Sequence, residues 1–183
     1  MENKTLIHAA RNGDKKALCT LLDHYRGYMA AIVLRYVDDK EQQKDILQNI
    51  FIRIIKGLTS YKDSSKFTTW LYKVALSEIY DSGRKMKTAG KYFTSLHSEP
   101  IQTGADSDTI EYLNKKEVRK IVLELLELLP LDQKTAFILY YLHYYCGKDA
   151  AEIMNISEQN FFMKLKAARD FLRKKLSKEA FYE

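Results

Sequence analysis

Proline and glycine are scarce in this chain, two and seven residues in 183. Both residues punctuate backbone structure, so their rarity argues against a many-turned β architecture and for long uninterrupted helices. Cysteine is as rare. Cys19 and Cys146 stand far apart with no metal-ligand spacing, and they read as reduced thiols, not as a disulfide or a zinc site. No apolar run approaches the roughly 18 residues of a membrane span, and nothing at the N-terminus resembles a signal peptide, so a soluble, cytoplasmic chain is expected. There is no P-loop and no G-x-G-x-x-G, and His8, His24, His97 and His143 are scattered along the sequence in no catalytic or metal-binding spacing. The expectation is therefore no enzyme, no cofactor and no metal.

What is present is a basic chain with enough apolar material for a core. Hydrophobic residues make up 46% of it, and the formal net charge is +6. The charge is unevenly placed. Residues 1–87 carry 16 basic and 10 acidic side chains, residues 88–112 one and four, and residues 113–183 13 and 10. Two basic blocks thus flank an acidic connector. Basic surface supplies the sequence-independent, salt-sensitive part of phosphate binding.

Residues 1–87 read as four helices. The first ends near the breaker pair Asn12-Gly13. Asp14 is placed to cap the second, which runs to about Val37 with Leu18, Leu21, Leu22, Met29, Ile32 and Val33 inward. Asp38 and Asp39 can cap the third, where Ile46, Ile50 and Ile54 recur every four residues beside Leu47, Phe51 and Leu58. A polar loop from Ser60 to Lys66 precedes a fourth helix, which starts near Thr68 and turns Trp70, Leu71, Val74 and Ile79 inward. Residues 88–112 are rich in Thr, Ser, Gly and Asp and poor in aliphatics, the composition of a flexible linker. Residues 113–183 form a second domain: the helix that leads into it runs from Tyr112, at the linker's end, to Leu129, Pro130 breaks it, and Asp132 can cap another reaching about Tyr145.

The last part of that domain is spaced like a helix-turn-helix. A short helix, Lys148 to Met154, meets an Asn155-Ile156 corner, and Ser157 stands where an N-cap is needed. Phe161, Leu165, Ala168 and Leu172 then give the second helix one apolar stripe, which Ile153 and Ile156 can close against. A second helix of this kind enters the major groove with its first residues facing base edges. Candidates for base contact are Ser157, Glu158, Gln159, Asn160, Met163 and Lys164, with Lys166 and Arg169 suited to phosphate; Gln and Asn can pair bidentately with adenine.

An all-α chain of a four-helix domain, an acidic linker and a small helix-turn-helix domain resembles the sigma factors of bacterial RNA polymerase, above all the two-domain extracytoplasmic-function (ECF) group. Asp45-Ile46-Leu47-Gln48-Asn49-Ile50-Phe51-Ile52-Arg53 is similar to that family's D-x-x-Q-E-x-F-x-R helix. Phe67-Thr68-Thr69-Trp70-Leu71-Tyr72-Lys73-Val74-Ala75 is similar to its F-x-x-W-L-x-x-I-A stretch, with Asp81 and Arg84-Lys85 following. Leu128-Leu129-Pro130-Leu131-Asp132-Gln133 resembles its L-P-x-x-x-R opening, and Ile156-Ser157 its I-S turn. The resemblance implies that Asp45, Gln48, Asn49, Ile52 and Arg53 dock on the clamp of the polymerase largest subunit. It implies that the loop holding Tyr61, Lys62, Ser64, Ser65 and Lys66 captures a base flipped from the minus-ten element, with Lys73, Arg84 and Lys85 on the strand's phosphates. Stacking surface, polar groups and cations are what an extruded base needs. The helix-turn-helix would read the minus-thirty-five element and meet the polymerase flap. An anti-sigma factor is a further partner that the family admits.

The chain also departs from the family's pattern. Asn49 replaces an acid, and Leu76 and Ser77 stand where the family often has Arg-Asn. In the reading helix Phe162 and Met163 replace a usual Lys and a small polar residue, and Ala167 a frequent Arg. Fewer cations lower phosphate affinity and its salt dependence, while the aromatic group Tyr140, Tyr141, Tyr144, Tyr145, Phe161 and Phe162 favours protein contacts. Weak independent minus-thirty-five reading follows, with an activator or a DNA-targeting accessory protein helping to place the factor. The rival expectation is a stand-alone helix-turn-helix regulator that never enters polymerase.

Overall fold

The computed structural model describes residues 4–62, 66–88 and 121–179, and among these the regular structure is helical throughout. The chain divides into two compact units, Met1–His97 and Ser98–Glu183. The expected linker, residues 88–112, lies outside the described residues but for Thr88, and so does the start of the helix expected from Tyr112.

In the N-terminal unit α1 spans Lys4–Arg11, α2 Lys15–Val33, α3 Lys40–Gly57 and α4 Phe67–Thr88, with a short 3-10 turn at Leu58–Ser60. Asp14 caps α2, accepting from the backbone N–H of Lys16 at 2.9 Å and of Ala17 at 3.1 Å. Asp39, not Asp38, caps α3 through the Gln42 N–H at 2.8 Å. Each cap satisfies donors that a helix start otherwise leaves unpaired. The second helix stops at Val33, earlier than its apolar spacing implies. Tyr36 and Val37 are still buried, but they sit in the turn that follows. The Gln43 side chain closes this corner by donating to the carbonyl oxygens of Val37 at 2.7 Å and Asp38 at 3.2 Å. Met29, Ile32, Ile46, Ile50, Ile54, Leu71 and Ile79 form the core as their periodicity predicts.

In the C-terminal unit helical residues 121–127 (α5) precede α6, Leu131–Phe137, which continues as a π-helical turn over Ile138–Leu142; α7 spans Gly147–Met154 and α8 Glu158–Glu179. The helix expected to reach Tyr145 thus ends at Leu142, and Tyr144 takes a left-handed conformation with φ 55°. The expected Asp132 cap is also corrected. Pro130 holds the cap position without a side-chain bond, and Asp132 lies inside the first turn. Lys134, only 6% exposed, donates to both oxygens of Glu127 at 2.7 and 2.8 Å and ties α5 to α6 across the proline corner. Leu125, Leu126 and Leu129 pack with Ala168 and Leu172 of α8.

Candidate nucleic-acid interface

On α3 the stripe Ile46, Ile50 and Ile54 is buried, which turns Asp45, Gln48 and Ile52 outward. Spacings of three and four place Asp45, Gln48, Ile52 and Ile55 on one helix face. Ile52 is 41% and Ile55 45% exposed. Ile55 escaped the sequence reading although its spacing from Ile52 was visible there. A face with two solvated isoleucines among polar groups is suited to a protein partner.

Asn49 and Arg53 are placed differently. Both reach across to α4. Asn49 Nδ2 donates to Oε1 of Glu78 at 3.1 Å, and Arg53 lies 2.7 Å from Oε2 of Glu78 through Nε and 2.7 Å from Oδ2 of Asp81 through Nη2. Arg53 Nη1 adds a bond to the Ser77 hydroxyl at 3.2 Å, and Ser82 donates to Glu78 at 3.1 Å. Arg84 closes the set by pairing with the other oxygen of Asp81. Hydrogen bonds from Arg84 first and from Arg53 second hold the Asp81 carboxyl below the usual carboxylate range, against a smaller upward push from burial. The sequence showed these residue types, but a pairing between helices is a tertiary fact.

Two buried rings flank the described ends of the segment between α3 and α4. Tyr61 and Phe67 are 4% and 0% exposed, with ring centroids 5.1 Å apart, and Phe67 stacks on Trp70 at 5.4 Å. Tyr25 joins from α2 at 5.3 Å from Phe67. Arg11 donates to the Tyr61 carbonyl at 3.3 Å. Tyr61 is therefore an anchor of the loop in this structure, not a ring displayed for stacking. Its apolar body is better placed against Phe67 and Trp70 than in water. Lys62 and Lys66 are exposed on either side, while Ser64 and Ser65 lie outside the described residues. Trp70 is half-buried, close enough to Gly57 that a β-carbon there would sit 3.3 Å from its Cζ2. On α4, Lys73 is half-buried and Arg84 and Lys85 are exposed.

The C-terminal unit forms the expected helix-turn-helix. Asn155 ends α7 in the left-handed conformation, φ 55° and ψ 45°, and the Ser157 hydroxyl accepts the Asn160 N–H at 3.2 Å to start α8. Phe161, Leu165, Ala168 and Leu172 are all buried, as is Ile153, whereas Ile156 is half-buried. Glu158, Gln159, Asn160, Met163, Lys166 and Arg169 are exposed, and helical spacing places Gln159, Met163 and Lys166 opposite the stripe with Glu158 and Arg169 at its margin. Ser157 is exposed too, though its hydroxyl is committed to the cap. Lys164 is half-buried and paired with Asp132 of α6, which engages the cation expected to face DNA. Phe162 lies over the start of α7, where a β-carbon on Gly147 would come within 2.5 Å of its ring. Tyr140, Tyr141 and Phe162 form an aromatic group with centroids 5.0 and 6.4 Å apart, each more than a third exposed.

Comparison with known proteins matches residues 21–88 to the model of sigma-70 region 2 and residues 119–172 to that of sigma-70 region 4. The chain is 28% identical to the ECF RNA polymerase sigma-E factor of Haemophilus influenzae, covering 96% of each chain. It is 26% identical to the ECF RNA polymerase sigma factor SigW of Bacillus subtilis, over 94% of this chain and 96% of that one. In fold it is similar to the sigma factor RpoE of Bartonella quintana, solved with the anti-sigma factor NepR, with TM-score 0.66 and 20% identity over 88% of this chain and 98% of that one. It is likewise similar to CnrH, solved with the cytosolic domain of CnrY, with TM-score 0.65 and 15% identity over 96% and 97%.

Proposed function

Since this chain belongs to the sigma-70 family of RNA polymerase sigma factors, in its ECF group, we propose how its residues divide the work of that family. A sigma factor is not itself an enzyme; it binds the polymerase core, directs it to promoters and helps to open the duplex. The stand-alone regulator is thereby set aside, because the region 2 match gives the chain a whole domain that such a regulator does not need. The chain acts in the cytoplasm, where its polymerase partner is; no described helix is long and apolar enough to cross a membrane.

Asp45, Gln48 and Ile52, extended by Ile55, meet the polymerase clamp. Asn49 and Arg53 serve that contact from behind, holding α3 against α4. Lys62, Ser64, Ser65 and Lys66 serve the flipped base, and the half-buried Trp70 offers a ring in place of the buried Tyr61. Lys73, Arg84 and Lys85 take the strand's phosphates. In the C-terminal unit Gln159, Asn160 and Met163 face bases, with Glu158 at the margin and Ser157 as cap, while Lys166 and Arg169 take phosphates and Lys164 is shared with Asp132. The observation that carries this division is the contrast on α3 between an outward face with two solvated isoleucines and a second face engaged by α4. Run-off transcription with the polymerase core and the purified chain tests it. Promoter-dependent product is expected, and none should form with an Ile52→Glu chain.

A second reading is favoured by the exposed aromatic group on the helix-turn-helix. Phe162 and Ala167 stand where the family usually carries cations and Met163 where it has a small polar residue, and Phe162 and Met163 are 43% and 64% exposed. Upstream recognition therefore leans on another protein, an activator or DNA-targeting complex, and the same surface suits an anti-sigma factor. Footprinting of the holoenzyme alone checks this. Strong sequence-specific protection of the upstream element without any accessory factor rejects it.

A further inference from the structure

We propose that Asp81 masks Arg84: its carboxylate occupies the arginine in the free chain and yields it only to a strand phosphate, which keeps α4 from casual contact with single-stranded nucleic acid. The two oxygens of Asp81 have different fates. Oδ2 is bound to Arg53, which is anchored a second time on the buried Glu78, each at 2.7 Å. Oδ1 pairs with Arg84, whose side chain is 77% exposed. The inner half of the cluster is fixed by burial and by four named partners of Arg53 and Glu78. The outer half is a surface ion pair, and such pairs are weak enough to be exchanged. A phosphate offers Arg84 a charge-assisted, bidentate contact of at least equal quality. When Arg84 turns to it, Asp81 keeps Arg53 and is not left as an uncompensated charge. Glu78 and Asp81 against Arg53 and Arg84 also sum to zero net charge. At rest, the cations that this end of α4 offers without an acidic partner in the cluster begin with the exposed Lys85.

This inference rests on the reading that Arg84 meets strand phosphates, and a double-mutant cycle separates the two. The full chain, Asp81→Asn, Asp81→Glu, Arg84→Gln and the Asp81→Asn/Arg84→Gln pair are titrated against a fluorescein-labelled oligothymidylate over a series of salt concentrations. Removing the mask raises affinity about fivefold at low salt, the upper range for an exposed pair. It steepens the salt slope by up to about 0.7, one counterion on a single strand. Asp81→Glu, which keeps the charge, binds like the parent. In the Arg84→Gln background the gain disappears. An Asp81→Asn chain that binds no better than the parent, or one that gains as much without Arg84 as with it, overturns the masking. If Arg84→Gln weakens the parent while Asp81→Asn is neutral, masking fails and the phosphate reading stands. If Arg84→Gln changes neither background, the phosphate reading fails with it. Trp70 fluorescence in urea verifies that each variant is folded, since Asp81→Asn leaves Arg53 its bond to Glu78.

Discussion

The Nε atom of Arg53 on α3 lies 2.7 Å from Oε2 of Glu78 on α4, whose side chain is 5% exposed. A carboxylate so far from water depends on that cation. Arg53→Met leaves Glu78 with Asn49 and Ser82 as donors but no charge partner, and about 2–4 kcal/mol of stability should be lost from the N-terminal unit. Glu78→Gln should cost less, because Arg53 retains Asp81. The chain has one tryptophan, Trp70, so its fluorescence in a urea titration reports on this unit alone.

Substitution of the outward face of α3 should separate binding from stability. Gln48→Ala and Ile52→Glu replace exposed side chains, and surface changes of this kind alter stability by about 0.5 kcal/mol or less. Affinity for polymerase core should nevertheless fall at least tenfold for Ile52→Glu. Co-purification with core, read beside the urea midpoint, checks both halves. A parallel loss of both would place Ile52 in the fold instead of the interface.

The loop between α3 and α4 predicts the opposite pattern at neighbouring residues. Tyr61→Ala removes a buried ring packed on Phe67 and Trp70 and should cost about 3 kcal/mol. Lys62→Ala and Lys66→Ala should leave the urea midpoint unchanged and reduce promoter opening, measured as permanganate reactivity of unpaired thymines. Reduced opening by Tyr61→Phe, a change that keeps the ring, would instead point to the hydroxyl.

The Asp81 carboxyl is held below its usual range by Arg84 and Arg53, so its folded-state pKa is depressed relative to the unfolded chain. Its stabilising contribution is then complete above the unfolded carboxylate pKa, about 3.9, and is lost as pH falls through the folded value. Between about pH 5 and pH 2 the parent should lose more stability than Asp81→Asn, and the two urea midpoints should converge. Midpoints that stay equally separated down to pH 2 would contradict this.

Asn155 turns the corner of the helix-turn-helix at φ 55°. Asn155→Gly should be nearly neutral, because glycine adopts this conformation freely. Asn155→Val should cost about 1–2 kcal/mol through the clash of its branched Cβ. Circular dichroism melting of the full chain resolves the two.

Much of this molecule was legible in its order of residues. The Ile46–Ile50–Ile54 and Phe161–Leu165–Ala168–Leu172 spacings identify buried faces, Asp14, Asp39 and Ser157 mark helix starts, and the linked motifs point to the family. Those are local facts, carried by helical periodicity and by backbone donors that need a nearby acceptor. The sequence was less informative where a residue had two physically reasonable places. Tyr61 suited a stacking platform as well as a core, and Asp132 suited a cap as well as a partner for Lys164.

Between such places only packing chooses. The Ile46 stripe leaves Asn49 and Arg53 on a polar flank, and nothing in α3 itself says whether that flank meets solvent, a partner or another helix. The approach of α4 decides it, because Glu78 becomes buried there and needs donors from α3. Periodicity along a helix determined which residues face inward and hence the architecture; the charges exchanged between helices, and so the part of the surface left for polymerase and DNA, were decided by tertiary structure, since electrostatic pairing depends on distance in space and not on separation along the chain.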